Sequence, residues 1–519
     1  WYDENTVIFA DALTSGSQTV SGYARQLRVW RRGEAFSESS VLYSIAEGEF
    51  SLSMQIDQSQ KNMLIFHGLN FTKIKIILVK DLRELLPLNL PYETDAVYFF
   101  KNRLFVRNLK DWLFSDQTLK AGSLISWPLA DLHPQSQNIQ IHFSPSSAEV
   151  LSDYFLTENF LLILKLKNIQ PQITCFQYSE GGFFEKTIAW PDKSVVNLAA
   201  ASHYSDKVLW RASDFLQPAQ LIFTDLTGPI GAPYSEGSQS FKAQVVQQLT
   251  TQFDTSNFIK EQLWAISKDG DKIPYFVVRR KDFKFNGESP AWITGYGGFE
   301  SPMLPYDLGA LGAAWLEGAN GFYVLANIRG GGEFGPHWHQ NAILQHKQKS
   351  YDDFIAVTED LISRQMTSKN KISIHGASNG GLLVAAVAMQ RPDLFKAVVC
   401  MVPLLDMLRY HKLLAGASWM AEYGNPDIET DRTFIEKYSP YQNIKIDQQY
   451  PSFFIYTSTK DDRVHPGHAR KMVARLLEYN NDVIYYEQAE GGHKRDTSST
   501  SAAQLFAKFS AFTKDKVLG

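Results

Sequence analysis

Ser378, His493 and one of two adjacent carboxylates, Asp461 or Asp462, have the types and the chain order that nucleophilic acyl transfer requires. Ser378 sits in Gly376-Ala377-Ser378-Asn379-Gly380-Gly381, with small residues on both sides. A serine lifted on a sharp strand-to-helix turn needs such neighbours, because a bulky side chain would clash in strained backbone. Gly-x-Ser-x-Gly alone is a weak signal. Here an apolar run, Ile372 to His375, leads into it and an apolar helical stretch, Gly381 to Gln390, follows. The hydroxyl needs a base, and the base needs an orienting carboxylate. Serine, then acid, then histidine is the order expected where such an elbow tops a parallel sheet. Spacing does not choose between Asp461 and Asp462. His493 closes Glu490-Gly491-Gly492-His493, a glycine-bearing loop able to deliver an imidazole to the same rim. His465 and His468 follow the acid on its own loop or helix start and read as packing or surface residues.

The tetrahedral intermediate also needs hydrogen-bond donors for its oxyanion. The backbone N–H of Asn379, the residue after the nucleophile, is one candidate. Tyr296, in Gly295-Tyr296-Gly297-Gly298-Phe299, is the second; a buried structural tyrosine is the alternative reading. Metal chemistry fits poorly. His337-Trp338-His339 and the His465/His468 pair each lack a third ligand, and no His-Glu-x-x-His occurs. Arg329-Gly330-Gly331-Gly332-Glu333 lacks the Gly-Lys-Ser/Thr ending of a phosphate loop. No cofactor is implied.

These residues need strands and helices to hold them. From about Val246 the sequence alternates apolar strands with helices. The strands are expected at Ala291 to Thr294, Phe322 to Ala326, Ile372 to His375, Ala397 to Met401, Phe453 to Thr457 and Val483 to Tyr486. Helices are expected at Tyr351 to Arg364, Gly381 to Gln390, Gly467 to Tyr479 and Ala502 to Thr513. That alternation predicts a doubly wound, mostly parallel sheet of the α/β-hydrolase type, with ligands beyond the carboxyl ends of the strands. Each chemical residue above falls at such an end. Residues 1–245 read differently: short aromatic and β-branched runs such as Gln26 to Trp30, Met63 to Phe66, Arg103 to Val106 and Phe160 to Leu166, separated by polar turns. Strand–turn–strand units recur at roughly 40- to 60-residue spacing, which suits propeller blades, although a sandwich has a similar pattern. The expected domains are therefore 1–245, all-β, and 246–519, catalytic.

A chain of 519 residues exceeds one hydrophobic core. Its 44% apolar and 20% charged content is that of a globular protein, and a net charge of −4 gives no reason to expect nucleic acid or an anionic membrane as partner. Cys175 and Cys400, the two cysteines, supply no disulfide framework, which favours a reducing, cytoplasmic compartment. The chain opens at Trp1-Tyr2-Asp3 without methionine, as a fragment or processed product would, so a periplasmic origin stays open.

The sequence resembles the prolyl oligopeptidase family of serine peptidases over most of Gln262 to His493. The carriers are Gly295-Tyr296-Gly297-Gly298-Phe299, Ala326-Asn327-Ile328-Arg329-Gly330-Gly331-Gly332-Glu333, Ser378-Asn379-Gly380-Gly381-Leu382-Leu383, Gln390-Arg391-Pro392-Asp393-Leu394-Phe395, Asp461-Asp462-Arg463-Val464 and Gly492-His493. The resemblance implies a triad of Ser378, Asp461 and His493, with Tyr296 and the Asn379 N–H as oxyanion donors. It implies that Arg463 binds a substrate carbonyl and that Trp419, Tyr423, Phe299 and Val464 wall the S1 pocket for a proline ring. Leu404 stands where proline-specific members carry a smaller aliphatic residue. Glu422-Tyr423-Gly424-Asn425-Pro426 is also similar to the branch that cleaves after Arg or Lys, with Glu422 as the acid to face such a cation. Short peptides are the implied substrates, cleaved after proline; a basic-specific peptidase, an acyl-peptide hydrolase, a carboxylesterase or an inert propeller-bearing binding protein are the alternatives. The implied propeller is seven-bladed, of which residues 1–245 would hold roughly five blades, leaving a missing N-terminal part.

Overall fold

The period-two pattern of the N-terminal residues becomes a series of antiparallel meanders. The computed structural model describes residues 1–519 except 58–61, 71, 89, 115–116, 132–137, 180–181, 189–194, 228–229, 232–239, 242 and 494–497. Its described residues fall into two compact units, 1–146 with 411–421, and 147–410 with 422–519.

In the first unit, Thr6–Asp11, Gln26–Arg31 and Ser40–Ser44 form a three-stranded sheet. Ser51–Asp57, Asn62–Asn70, Lys73–Lys80 and Glu84–Pro87 form a four-stranded meander, and Thr94–Phe100, Arg103–Asn108, Leu124–Pro128 and Gln140–Phe143 form another. Alternation decides which core each residue joins. On the strand Asn62–Asn70, Met63 and Ile65 enter one cluster with Leu27 and Ile77, while Leu64 between them enters a second with Leu104 and Trp127. A sheet buried on both faces in this way is what stacked blades require.

The second unit contains two more such meanders. One is built on Glu149–Leu156, Phe160–Lys167, Gln170–Ser179 and Gly182–Ile188, the other on Val195–Ser202, Ser205–Asp214, Gln217–Asp225 and Ala243–Gln248. Phe160, Leu162, Trp210 and Ile222 pack between them. Val246, where the change of texture is expected, lies inside this unit, in the last strand of the last meander, Ala243–Gln248.

Eight strands follow in one sheet: β1 (Phe258–Ile266), β2 (Lys272–Arg280), β3 (Ala291–Gly295), β4 (Phe322–Ala326), β5 (Ile372–Ala377), β6 (Ala397–Met401), β7 (Ser452–Ser458) and β8 (Val483–Gln488). Their order is β1-β2-β4-β3-β5-β6-β7-β8, parallel from β4 to β8 and antiparallel at β1–β2 and β2–β4. Between strands lie α1 (Gln348–Ser363), α2 (Asn379–Gln390) and α3 (Gly467–Glu478), with α4 (Ser499–Leu518) at the end. The six predicted strands and four predicted helices all form, most of them extended at one end or both. The hairpin β1–β2 was not among the expected strands, although Asp269-Gly270 between two apolar runs is a hairpin signal. Every residue of β4 and β6 is buried, which explains their unbroken apolar sequence. The chain leaves β3 for β4 on one side and returns to β5 on the other, so the β3/β5 boundary is the topological switch point where such sheets bind ligands. Among the described residues no helix is long and apolar enough to cross a membrane.

Candidate active site

Ser378 stands at the switch point, between the end of β5 and the first turn of α2. Its backbone is held at φ 58°, ψ −119°, a conformation costing an L-residue ~1–3 kcal/mol. Close packing imposes it. A Cβ on Gly376 would lie 1.9 Å from the Gly380 carbonyl oxygen, so only glycine lets the chain fold back so tightly. The Ser378 N–H donates to Met401 O (2.9 Å), tying the elbow to β6. Helix α2 is buried along nearly its whole length, so the elbow rests on a rigid element.

His493 and Asp461 reach the serine from the ends of β8 and β7. The Ser378 hydroxyl lies 3.1 Å from His493 Nε2. His493 Nδ1 lies 2.9 Å from Asp461 Oδ2 and 3.1 Å from Oδ1. A carboxylate on Nδ1 puts the imidazole proton there and leaves the Nε2 lone pair for the serine O–H. Asp461 is buried, and its Oδ1 also accepts the backbone N–H groups of Arg463 (3.0 Å) and Val464 (2.8 Å). The neighbouring Asp462 takes a different part. Its Oδ1 accepts the backbone N–H of His493 (3.0 Å), which holds its carboxyl below the usual range and steadies the histidine loop. Ser458 Oγ donates to Gly491 O, and Lys460 pairs with Glu490 at 2.6 Å, on the same loop. The sequence did not reveal this second role of the acid pair.

Tyr296 follows β3, beside the elbow. Burial pushes its phenol up to about 12, while the Ser378 hydroxyl and the Arg463 charge pull it the other way. It is therefore a neutral donor at physiological pH. Asn379 links the two sides of the site: its Nδ2 donates to Tyr296 O (2.7 Å), and its Oδ1 accepts the Tyr423 hydroxyl (2.7 Å). A Cβ on Gly298 would come within 2.5 Å of Asn379 Nδ2, so this approach needs a glycine there. The Asn379 N–H heads α2 and has no intrahelical acceptor.

Of the residues that the resemblance assigns to S1, Phe299 and Tyr423 meet edge-to-face, with centroids 5.7 Å apart. Val464 is buried beside Asp461, Leu404 is buried in the loop after β6, and Arg463 is exposed. Trp419 is buried on the short helical segment Leu414–Trp419, in the part of the chain that belongs to the first unit. Glu422 is not free to face a substrate cation: its carboxylate pairs with Lys347 Nζ (2.8 Å) and His339 Nε2 (2.7 Å), all three buried. His468 Nδ1 accepts the Leu405 and Asp406 N–H groups, and His465 Nδ1 accepts Gly467 N–H, both structural uses. Among the described residues no group of three or more His, Cys, Asp or Glu is arranged to hold a metal ion.

The glycine-rich loop after β4 is fixed by Arg329, whose guanidinium pairs with Asp353, Asp269 and Asp271, each at 2.6 Å. The loop's last residue, Glu333, is wholly buried. Its Oε1 accepts the Met303 N–H (2.9 Å) and the Asn327 amide (3.3 Å), while Oε2 has no hydrogen-bond partner among the described residues. Burial pushes its carboxyl up to about 7 against those bonds. An acid raised above its unfolded value, here 4.5, gives its full stability below that value and loses it as pH rises through about 7. The wild type is expected to lose about 2 kcal/mol through this group between pH 5 and pH 8, and Glu333→Gln to lack that slope. Urea midpoints of both proteins at the two pH values check it; equal slopes would mean that Glu333 folds ionised.

An elbow serine, a histidine and a buried acid at the rim of such a sheet, joined to antiparallel meanders, define a serine hydrolase with a propeller and an α/β-hydrolase domain. The comparisons give the class more closely. Residues 309–519 match the model of the prolyl oligopeptidase family, and residues 1–234 that of the prolyl oligopeptidase N-terminal β-propeller domain. An uncharacterized peptidase of Sinorhizobium fredii is 36% identical, over 98% of this chain and 69% of its own. A prolyl endopeptidase of Dictyostelium discoideum is 32% identical over 73% of this chain and 47% of its own. The structure of a post-proline cleaving enzyme from Rickettsia typhi superposes with a TM-score of 0.91 at 30% identity, over 100% of this chain and 74% of that one. The chain belongs to the prolyl oligopeptidase family and is a serine peptidase.

Proposed function

We propose that this protein hydrolyses short peptides on the carboxyl side of proline through an acyl-enzyme on Ser378, with residues 1–245 as the propeller part and 246–519 as the catalytic domain. His493 takes the proton as Ser378 Oγ attacks the carbonyl carbon, Asp461 stabilises the imidazolium, and Tyr296 with the Asn379 N–H receives the oxyanion. The C–N bond then breaks, the amine leaves with the proton from His493, and water repeats the sequence to free the acid. Arg463 holds a peptide carbonyl near the cleaved bond. Phe299, Tyr423, Val464 and Leu404 form the slot for the proline ring, a rigid group that buries apolar area at small entropic cost.

The observation that carries the reading is His493 standing within hydrogen-bond reach of both Ser378 and Asp461. Glu422 weighs against the basic-specific alternative, because its charge is already paired inside the protein. The test is turnover of blocked fluorogenic dipeptides differing only at P1, proline against arginine. Cleavage after proline, absent in Ser378→Ala, is expected. Preferred cleavage after arginine would overturn the specificity, and turnover of simple esters without peptide cleavage would move the protein to the carboxylesterases.

A further inference from the structure

The loop that carries Tyr296 is gripped on both sides of Gly298 by one buried ion pair. Lys347 Nζ donates to Gly297 O (2.8 Å), and Glu422 Oε2 accepts the Phe299 N–H (3.2 Å). The two side chains meet each other at 2.8 Å, and His339 closes the cluster on Glu422 Oε2 at 2.7 Å. Lys347 and Glu422 are respectively 1% and 3% exposed, an arrangement lysine and glutamate rarely accept unless paired. Burial alone would raise the Glu422 carboxyl, yet Lys347 and His339 together hold it below its usual range.

The loop needs such a grip. Phe299 and Glu300 adopt φ of 57° and 52°, left-handed values that non-glycine residues keep only when their surroundings enforce them. From Glu422 the chain continues into Tyr423, whose hydroxyl fixes Asn379, whose amide in turn holds the Tyr296 carbonyl. The ion pair thus closes a ring of contacts around both proposed oxyanion donors.

We propose that the Lys347–Glu422 pair is a positioning clamp for the oxyanion loop, acting on the reaction through the Tyr296 hydroxyl. The proposal rests on the reading of Tyr296 as an oxyanion donor. A buried pair of this kind is weak evidence for stability, since hydrophobic replacements often serve as well, so its use here is geometric. A donor displaced from the oxyanion forfeits much of the ~10²- to 10³-fold that such a group supplies.

The test is a double-mutant cycle of Glu422→Gln and Tyr296→Phe, read as the rate constant for phosphonylation of Ser378 by a fluorophosphonate. That reaction develops the same oxyanion charge and is independent of the residue preferred at P1. Glu422→Gln alone is expected to slow it by ~10-fold or more, and by less than ~2-fold when Tyr296 is already phenylalanine. With peptide, the loss should fall on kcat with KM little changed. Equal losses in both backgrounds, or a loss confined to KM, would overturn the clamp. A wild-type rate for Tyr296→Phe would instead overturn the oxyanion assignment, and the clamp with it. Should Glu422→Gln not fold, the paired variant Lys347→Met/Glu422→Gln removes both charges, leaves no uncompensated ion and enters the same cycle.

Discussion

Replacing Ser378 with alanine is expected to lower kcat on the preferred peptide by about 10⁶-fold, to abolish fluorophosphonate labelling, and to leave KM within a few-fold. The size follows from the geometry. Removing Oγ leaves His493 Nε2 without the hydroxyl 3.1 Å away, so base, acid and oxyanion donors surround a site with nothing to attack. What survives is the stabilisation that donors and binding give to direct attack by water, about 10³- to 10⁴-fold over solution. The same position offers an independent reading of the elbow. Alanine keeps a Cβ at φ 58° and so keeps the strain, whereas Ser378→Gly relieves it and is expected to raise stability by ~1 kcal/mol while equally inactive. A stabilised, inactive glycine variant would mean that the strain serves the reaction and not the fold. Activity of Ser378→Ala within a hundredfold of wild type would move the nucleophile elsewhere.

The elbow was legible in the sequence because close backbone approach leaves small residues behind. Gly376 is demanded by the Gly380 carbonyl of the same turn, Gly380 and Gly381 by Gly295 O and Met401 O at the ends of the neighbouring strands, and the apolar strand and helix on either side declare themselves by pattern. The order of serine, acid and histidine along the chain follows from the order of β5, β7 and β8. The clamp was not legible. Lys347 lies in a polar stretch, Gln345-His346-Lys347-Gln348, that reads as a solvated turn, and nothing nearby signals that its ammonium is buried against a carboxylate from much later in the chain. Similarity to the basic-specific branch offers Glu422 as an acid for a substrate cation under that alternative; its internal partners, Lys347 and His339, assign its charge elsewhere. The hairpin β1–β2 went unread for a different reason. Polar residues interrupt the exposed edge strand β1, so its alternation is faint, although the Asp269-Gly270 turn was there to find.

The acid pair shows how one residue of register decides a role, and it supports the second large effect. Asp461 and Asp462 are chemically identical, yet Asp461 Oδ1 is committed to the N–H groups of Arg463 and Val464, which turns its other oxygen to His493 Nδ1. An asparagine at 461 has one oxygen, and those two N–H donors claim it. The amide –NH₂ is then left facing Nδ1, which must accept. The imidazole proton moves to Nε2, where it meets the Ser378 hydroxyl as a donor and not as a base. Asp461→Asn is therefore expected to lower kcat by about 10⁴-fold with the fold intact. At 462 the demand is different: one backbone N–H needs one acceptor, and an asparagine oxygen supplies it. Asp462→Asn should keep kcat within ~10-fold, since only the charge of the bond is lost. Measuring kcat for both variants on one substrate separates the two carboxylates. Comparable losses at both positions would mean that what matters is negative charge near the histidine, and not the tautomer that Asp461 selects.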